Sequence, residues 1–180
     1  MIAADGGYEY CRREGLQPDL LLGDFDSLAE LPQHPNICRV PVEKDDTDMM
    51  LAVKKGLEQG YTCFHLYGGT GGRADHTLAN LQTLLYLQRR GARGFLYGEH
   101  YTYTALCGGE ITLRGREGDV FSLFCIGREV QGLSICGGQY PLENARLGPD
   151  FPLGVSNHFC DGEVKISLTE GDLLLYWQER

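Results

Sequence analysis

The sequence predicts a two-part fold in which an α/β half is followed by an all-β half. Residues 1–98 alternate short apolar runs with segments of helical periodicity, which is typical of βα units around a mainly parallel sheet. From about Gly98 onward, short apolar runs are separated by glycine-rich turns and no helical pattern follows. A chain of 180 residues with 42% hydrophobic residues is long enough to bury a real core.

The first half, residues 1–98, is predicted to be Rossmann-like, with strands and helices in alternation. Its predicted strands are residues 2–4, 20–22, 37–40 and 63–67, and its predicted helices begin near Tyr8, Thr47 and Leu78. Thr47 is a suitable N-cap for the second helix, and Gly60 a suitable end. In the third helix, Leu78, Leu81 and Leu85 are expected to form the apolar stripe.

The second half, residues 99–180, is predicted to be an antiparallel β-sandwich or barrel. Its predicted strands are residues 101–106, 111–113, 120–126, 130–135, 164–168 and 173–177. In residues 164–168 the apolar side chains alternate strictly with polar ones, as a half-buried strand requires. The boundary near Gly98 therefore predicts two domains.

The net charge and the cysteine content indicate which classes of partner and which cellular compartment are expected. The net charge of −9, with no cluster of Lys and Arg larger than a pair, argues against a nucleic-acid groove. Seven cysteines without a Cys-x-x-Cys pair favour reduced and mostly buried thiols in a cytoplasmic protein. No stretch approaches the length of a membrane span, so no membrane association is expected.

The most informative motif is the run GGTGGRADH at residues 68–76, which lies between a predicted strand and a predicted helix. Its four glycines let backbone N–H groups approach an anion, and the start of the helix adds a favourable dipole. Arg73 offers a planar fork for phosphate oxygens, with the Asp75 carboxylate beside it. No Gly-Lys-Ser/Thr follows, so this is not a Walker A loop. The motif predicts a site for a polyphosphate.

The acidic residues that could take part in the chemistry lie at strand ends and helix starts: Asp5, Asp24, Asp26, Asp48 and Asp75. In extended backbone, Asp24 and Asp26 would point to one side and Phe25 toward the core, an arrangement that suits Mg²⁺. The alternative is an Asx-type turn after the strand. Asp48 would also be favourable in a first helical turn for dipole reasons alone.

Two further pairs of polar residues have more than one interpretation. His76 and Asn80 are spaced i, i+4 on one predicted helix, where a structural role and a substrate contact are equally compatible with the pattern. Ser156 and Asn157 follow a turn-rich segment, and by themselves they indicate only a turn.

An apolar strand followed by Asp-x-Asp is also typical of a Mg²⁺-dependent phosphatase with Asp24 as nucleophile. That alternative requires a later lysine and acidic pair, for which the second half offers no match.

The motifs occur in an order that resembles one known family. Asp-Gly-Gly at residues 5–7, GDFDS at 23–27, EKDDTD at 43–48 and GGTGGRADH at 68–76 are followed by Tyr-Pro-Leu at 140–142 and Val-Ser-Asn at 155–157. This order resembles thiamine pyrophosphokinase (thiamin diphosphokinase) over nearly the whole chain. The family has one further strand ahead of its Asp-Gly-Gly, so the resemblance implies that the first strand is missing here.

The resemblance implies a fold, a reaction and an assembly. It implies a catalytic domain that binds ATP and Mg²⁺ in residues 1–98, and a β-sandwich that binds thiamine in residues 99–180. The reaction would transfer the β,γ-diphosphate of ATP to the hydroxyl of thiamine and release AMP, in a homodimer with the active site between subunits. A non-catalytic module that binds thiamine or a nucleotide is the alternative within the same fold.

The resemblance also assigns expected roles to individual residues. The metal ligands would be Asp24, Asp26 and Asp48, which with Arg73 and Asp75 would form the catalytic set. The residues around ATP and its phosphates would be Asp5, Gly6, Lys44, Thr47, Gly69, Thr70, Gly71, Gly72 and Arg73. The thiamine contacts would be Asp75, His76, Asn80, Ser156 and Asn157.

Overall fold

The computed structural model describes residues 1–25, 34–41, 43 and 45–179. Packing divides the chain into two compact units, Met1–Thr62 and Cys63–Arg180. The elements are β1 (Ile2–Ala4), α1 (Gly7–Arg13), β2 (Leu20–Gly23), β3 (Ile37–Arg39), α2 (Asp48–Glu58), β4 (Cys63–Leu66), α3 (Ala74–Gln88), β5 (Arg93–Tyr97), β6 (Tyr101–Arg114), β7 (Val120–Cys125), β8 (Val130–Cys136), β9 (Leu142–Leu147), β10 (Asn157–His158) and β11 (Glu163–Gln178).

The first unit contains a parallel sheet with the strand order β1-β2-β3. Ala3 of β1, Leu21 of β2 and Phe25 form its small buried cluster, against which Tyr8 of α1 packs. Thr47 caps α2 as predicted, because its Oγ1 accepts a hydrogen bond from the backbone N–H of Met50 at 3.2 Å. The parallel pairing places the carboxyl ends of β1 and β2 at the same edge.

The second unit contains one large, mostly antiparallel sheet. Its main strand order is β10-β7-β11-β6-β5-β4, and β8 pairs with both β11 and β9. The parallel pair β4–β5 is continued by the antiparallel pair β5–β6. The core is apolar, and its fully buried side chains include Phe121, Leu123, Leu133, Ile166, Leu173 and Leu175.

The chain is therefore a mixed α/β protein with a small parallel sheet and a large, mostly antiparallel one. Strand β5 (Arg93–Tyr97) was not predicted, and it joins the parallel pair to the antiparallel strands. For that reason β4, α3 and β5 belong to the unit Cys63–Arg180. Two predicted pairs of short strands are each one long strand, β6 and β11, and β11 carries a register shift between Leu168 and Asp172.

The predicted apolar stripe of α3 is right at Leu85, which is 6% exposed, and wrong at Leu78, which is 64% exposed. Besides Leu85, the buried residues of the helix are Asn80, Thr83, Leu84 and Leu87. A Cβ on Gly94 of β5 would lie within 3 Å of side-chain atoms of both Leu84 and Leu87. Because Gly94 has no side chain, this face of α3 can pack closely against β5. The helix has leucines on more than one side, so packing against β5 decides which side is buried.

All seven cysteines are free thiols, as the sequence predicts. The expectation that they are mostly buried is wrong, because only Cys125 is buried and three of them are exposed. No helix among the described residues is long and apolar enough to cross a membrane.

Candidate functional site

The glycine-rich segment connects the end of β4 to the start of α3, where the sequence predicts it. Gly68 and Gly71 adopt positive φ angles of 72° and 82°, which residues with a Cβ rarely tolerate. Within the described part of the chain, the backbone N–H groups of residues 70–73 donate no hydrogen bond to another backbone group. A turn with free N–H groups at a helix start is the geometry that binds phosphate oxygens.

Arg73 and Asp75 form a two-point ion pair at the start of α3. The Arg73 Nε lies 3.2 Å from Oδ1 of Asp75, and the Arg73 terminal nitrogen lies 2.7 Å from Oδ2. The side chains are 72% and 64% exposed, so the pair faces solvent. The hydrogen bond from Arg73 is the main cause that lowers the pKa of Asp75 to about 2, and the backbone N–H of His76 adds to it. The carboxylate is therefore ionised at neutral pH and orients the guanidinium.

Asn80 lies one turn and a half further along α3 and is only 6% exposed. Its Nδ2 donates a hydrogen bond to the carbonyl oxygen of Gly69 at 2.9 Å. His76, four residues earlier, is exposed. Of the two interpretations left open by the sequence, the contact with Gly69 gives Asn80 a structural role in the loop.

In the first unit, Asp5 and Asp24 follow the neighbouring parallel strands β1 and β2. The backbone N–H of Asp5 donates to the carbonyl of Leu22 at 2.8 Å, and a Cβ on Gly23 would lie 3.1 Å from the Cα of Asp5. The two segments are thus in close backbone contact. Carboxylate oxygens are the donors that Mg²⁺ prefers, so this edge fits such an ion.

The backbone after Asp24 differs from the prediction in one respect. Phe25 is buried at 3% exposure as expected, but its φ angle of 61° means that the backbone there is not extended. The argument that Asp24 and Asp26 share a side because the chain is extended is therefore wrong. Asp26 itself lies outside the described residues, and no group of three or more potential metal ligands converges among the residues that are described.

Thr47 and Asp48 begin α2, and Gly6 occupies the N-cap position of α1. Near the start of α2, the Lys54 ammonium binds both carboxylate oxygens of Asp46, at 2.8 and 2.6 Å. Lys44, which the resemblance places beside ATP, lies outside the described residues.

In the second unit, the side chain of Asn157 in β10 binds the backbone at Tyr140. Its Oδ1 accepts hydrogen bonds from the backbone N–H groups of Tyr140 and His158, both at 2.9 Å, and its Nδ2 donates to the carbonyl of Tyr140 at 2.8 Å. Asn157 is 4% exposed. Beside it, Ser156 has a φ angle of 61°, and its N–H donates to the hydroxyl of Ser122 at 3.0 Å.

Sequence reasoning did not single out Ser122 or Tyr140 as part of this segment. Ser122 is buried in β7, 34 residues before its partner, and Tyr140 stands at a turn with its side chain 60% exposed. The hydrophobic periodicity of the sequence does not indicate either residue, because the role of each depends on a contact with a segment that is distant in the chain. The Tyr-Pro-Leu motif, which contributed to the resemblance, was the available signal for Tyr140.

Comparison with known proteins agrees with this arrangement of motifs. Residues 1–96 match the family model described as thiamin pyrophosphokinase, catalytic domain, and residues 110–173 match the one described as thiamin pyrophosphokinase, vitamin B1 binding domain. The chain belongs to the thiamine pyrophosphokinase family. Thiamine pyrophosphokinases are diphosphotransferases, so the chain is an enzyme of that class, and the phosphatase alternative has no support.

Individual thiamine pyrophosphokinases are similar over almost the whole chain. The enzyme from Bacillus subtilis is 28% identical over 181 residues, covering 97% of this chain and 85% of the relative. Its crystal structure superposes with a TM-score of 0.89 at 25% identity, covering 99% of this chain and 87% of the other. The crystal structure of thiamin pyrophosphokinase from Geobacillus thermodenitrificans gives a TM-score of 0.83 at 27% identity, covering 99% and 86%.

Proposed function

We propose that this enzyme transfers the β,γ-diphosphate of ATP to the hydroxyl of thiamine, giving thiamine diphosphate and AMP. In this reaction the thiamine oxygen forms a bond to the β-phosphorus, the bond from that phosphorus to the bridging oxygen of AMP breaks, and the hydroxyl proton is released. The observation that carries the proposal is the glycine loop, with N–H groups of residues 70–73 unused by the backbone and Arg73 beside them. Membership of the family supplies the donor and the acceptor.

The loop residues Gly69, Thr70, Gly71 and Gly72 would hold the phosphates through their backbone. Phosphoryl transfer needs little covalent work from the protein, so positioning and charge stabilisation supply most of the rate. The N–H groups of the loop and the guanidinium of Arg73 would stabilise negative charge on the transferred phosphates. Asp75 would keep the guanidinium in place, because a carboxylate with a pKa of about 2 is a poor proton acceptor.

The acidic residues of the first unit would hold Mg²⁺. Asp24, Asp26 and Asp48 would be its ligands, and Asp5, Gly6, Lys44 and Thr47 would contact the nucleotide. The ion, when bound, would neutralise phosphate charge.

Ser156, Asn157, His76 and Asp75 would line the path of thiamine. Asn157 would act by fixing the segment at Tyr140, since its amide is already engaged by the backbone groups of that residue. The cationic thiazolium of thiamine is compatible with an acidic protein of net charge −9. We further propose a Rossmann-like catalytic domain in residues 1–98 and a thiamine-binding β-sandwich in residues 99–180, working as a cytoplasmic homodimer.

Product analysis tests the proposed reaction. The purified chain is incubated with ATP, Mg²⁺ and thiamine, and the products are separated by chromatography. We expect AMP and thiamine diphosphate in equal amounts, both dependent on thiamine. ADP with thiamine monophosphate would contradict diphosphate transfer, and thiamine bound without turnover would support the non-catalytic alternative. Light scattering after size exclusion tests the dimer, for which twice the mass of one chain is expected.

A further inference from the structure

Gly69 is enclosed by two side chains of the second unit. A Cβ placed on this glycine would lie 2.8 Å from Nδ2 of Asn80 and 2.8 Å from Cδ1 of Leu96. Gly69 is buried, Thr70 is half-buried, and Gly71 and Gly72 are exposed. The loop is therefore anchored at Gly69 and open to solvent two residues later.

The hydrogen bond from Asn80 fixes the direction of one peptide group. No cis peptide occurs among the described residues, so the carbonyl of Gly69 and the N–H of Thr70 point in opposite directions. Because the carbonyl is directed to Asn80 on α3, the N–H of Thr70 is directed away from the helix. That N–H is one of the loop donors that no backbone acceptor occupies.

We propose that Asn80 is a positioning residue that fixes the peptide between Gly69 and Thr70 so that the Thr70 N–H faces the phosphates of the nucleotide. This inference rests on the proposed function, because it requires the loop to bind phosphate. It replaces the expected contact between Asn80 and thiamine. Asn80 is 6% exposed and its amide nitrogen is bound to the loop, so it acts through the backbone of Gly69.

The alternative is that Asn80 only fills space and stabilises α3. Thr83 provides a matched control, since it is 1% exposed on the same helix and its hydroxyl donates to the carbonyl of Ala79 at 3.0 Å. Both Asn80→Leu and Thr83→Val remove a buried hydrogen bond while keeping the number and branching of the side-chain heavy atoms. Only the substitution at Asn80 releases the Gly69 carbonyl.

The experiment measures KM for ATP, KM for thiamine and kcat on folded protein, with thermal unfolding as a separate readout. We expect Asn80→Leu to raise KM for ATP about tenfold, the scale of one hydrogen bond to a charged group, and to leave KM for thiamine within about twofold. Thr83→Val should leave both constants unchanged. Normal kinetic constants in Asn80→Leu, or a rise confined to KM for thiamine, would overturn the inference.

A second variant approaches the same contact from the loop. Gly69→Ala places a methyl group against the Asn80 amide and should reproduce the rise in KM for ATP even where Asn80→Leu is too unstable to purify. Combining Gly69→Ala with Asn80→Ala should cost less than the sum of the two single changes, since both disturb one contact. Additive effects would contradict the proposal. Failure of the wild-type chain to form AMP would instead overturn the proposed function, so the two failures are distinguishable.

Discussion

At the scale of single residues, the contact between Arg73 and Asp75 shows how a nearby side chain lowers the pKa of a carboxyl group. Two positions apart at a helix start, they meet through a two-point hydrogen bond that needs no long-range packing. The sequence could therefore indicate both residues and their partnership. Asp24 is similar, because its place directly after an apolar strand follows from local sequence.

Titration of Asp75 is the first prediction at this scale. At about pH 3 an ordinary aspartate is mostly protonated, whereas a carboxyl with a pKa of about 2 is mostly ionised. Carboxyl carbon shifts measured by NMR should show Asp75 ionised at that pH in the wild type, and mostly protonated in Arg73→Gln. The lowered pKa favours the native state above the unfolded-state value, and this contribution is lost as the pH falls through about 2. An ordinary midpoint in the wild type would contradict the pairing.

Asp24→Asn is the second prediction. The change removes the charge of a proposed metal ligand while preserving shape, so we expect turnover to fall by about a hundredfold or more with an unchanged fold. Product formation measures the first effect and circular dichroism the second. Asp161→Asn, which alters an exposed aspartate in the other unit, is the matched control and should retain full activity. Near-normal turnover in Asp24→Asn would refute the assignment of Asp24 as a ligand.

At the scale of elements, the local sequence pattern predicts where strands and helices lie along the chain. It does not predict which face of a helix is buried. The capped start of α2 was predicted from Thr47, and the capping bond is present. In α3 the leucines permit several stripes, and contact with β5 buries the side that carries Asn80. The positions of apolar residues alone do not predict that a polar residue lies on the buried face of a helix. Asn80, which the pattern of apolar residues does not indicate, is the residue that donates a hydrogen bond to Gly69 in the glycine loop.

Asn157→Ala is the prediction at the scale of elements. The change removes a side chain that makes three hydrogen bonds, two of which join the segment at Tyr140 to strand β10 while the third is to the adjacent His158. We expect the free energy of unfolding to fall by about 3 kcal/mol, at about 1 kcal/mol per bond, and KM for thiamine to rise. Urea unfolding and steady-state kinetics measure the two effects. Gln131→Ala, an exposed change on β8, should alter stability by less than about 0.5 kcal/mol. A comparably small loss for Asn157→Ala would contradict the proposed role.

At the scale of the whole molecule, the two compact units differ in the size of their cores. The unit Cys63–Arg180 encloses a large apolar cluster built from the strands of one sheet. Among the described residues, the unit Met1–Thr62 buries fewer apolar side chains, those of Ala3, Leu21, Leu22, Phe25, Ala52 and Val53. Small cores support independent folding poorly, because little apolar surface is removed from water.

Separate expression of the units is the prediction at this scale. We expect the fragment 63–180 to melt cooperatively, as followed by far-UV circular dichroism, because its sheet and core are contained within it. The fragment 1–62 should show no cooperative transition. A cooperative melt of the smaller fragment, or none for the larger, would contradict this account of where stability resides.

The sequence by itself determined the order of motifs, the two-part composition of the fold, the N-cap at Thr47, and the glycine loop with Arg73 and Asp75 beside it. These features depend on residues close together in the chain, where capping, turn chemistry and periodicity act. The tertiary structure decided that β5 joins the parallel and antiparallel strands, that Asn80 faces inward onto Gly69, and that Asn157 fixes Tyr140. Each of those outcomes depends on which distant segments pack together, and local periodicity carries no information about that choice.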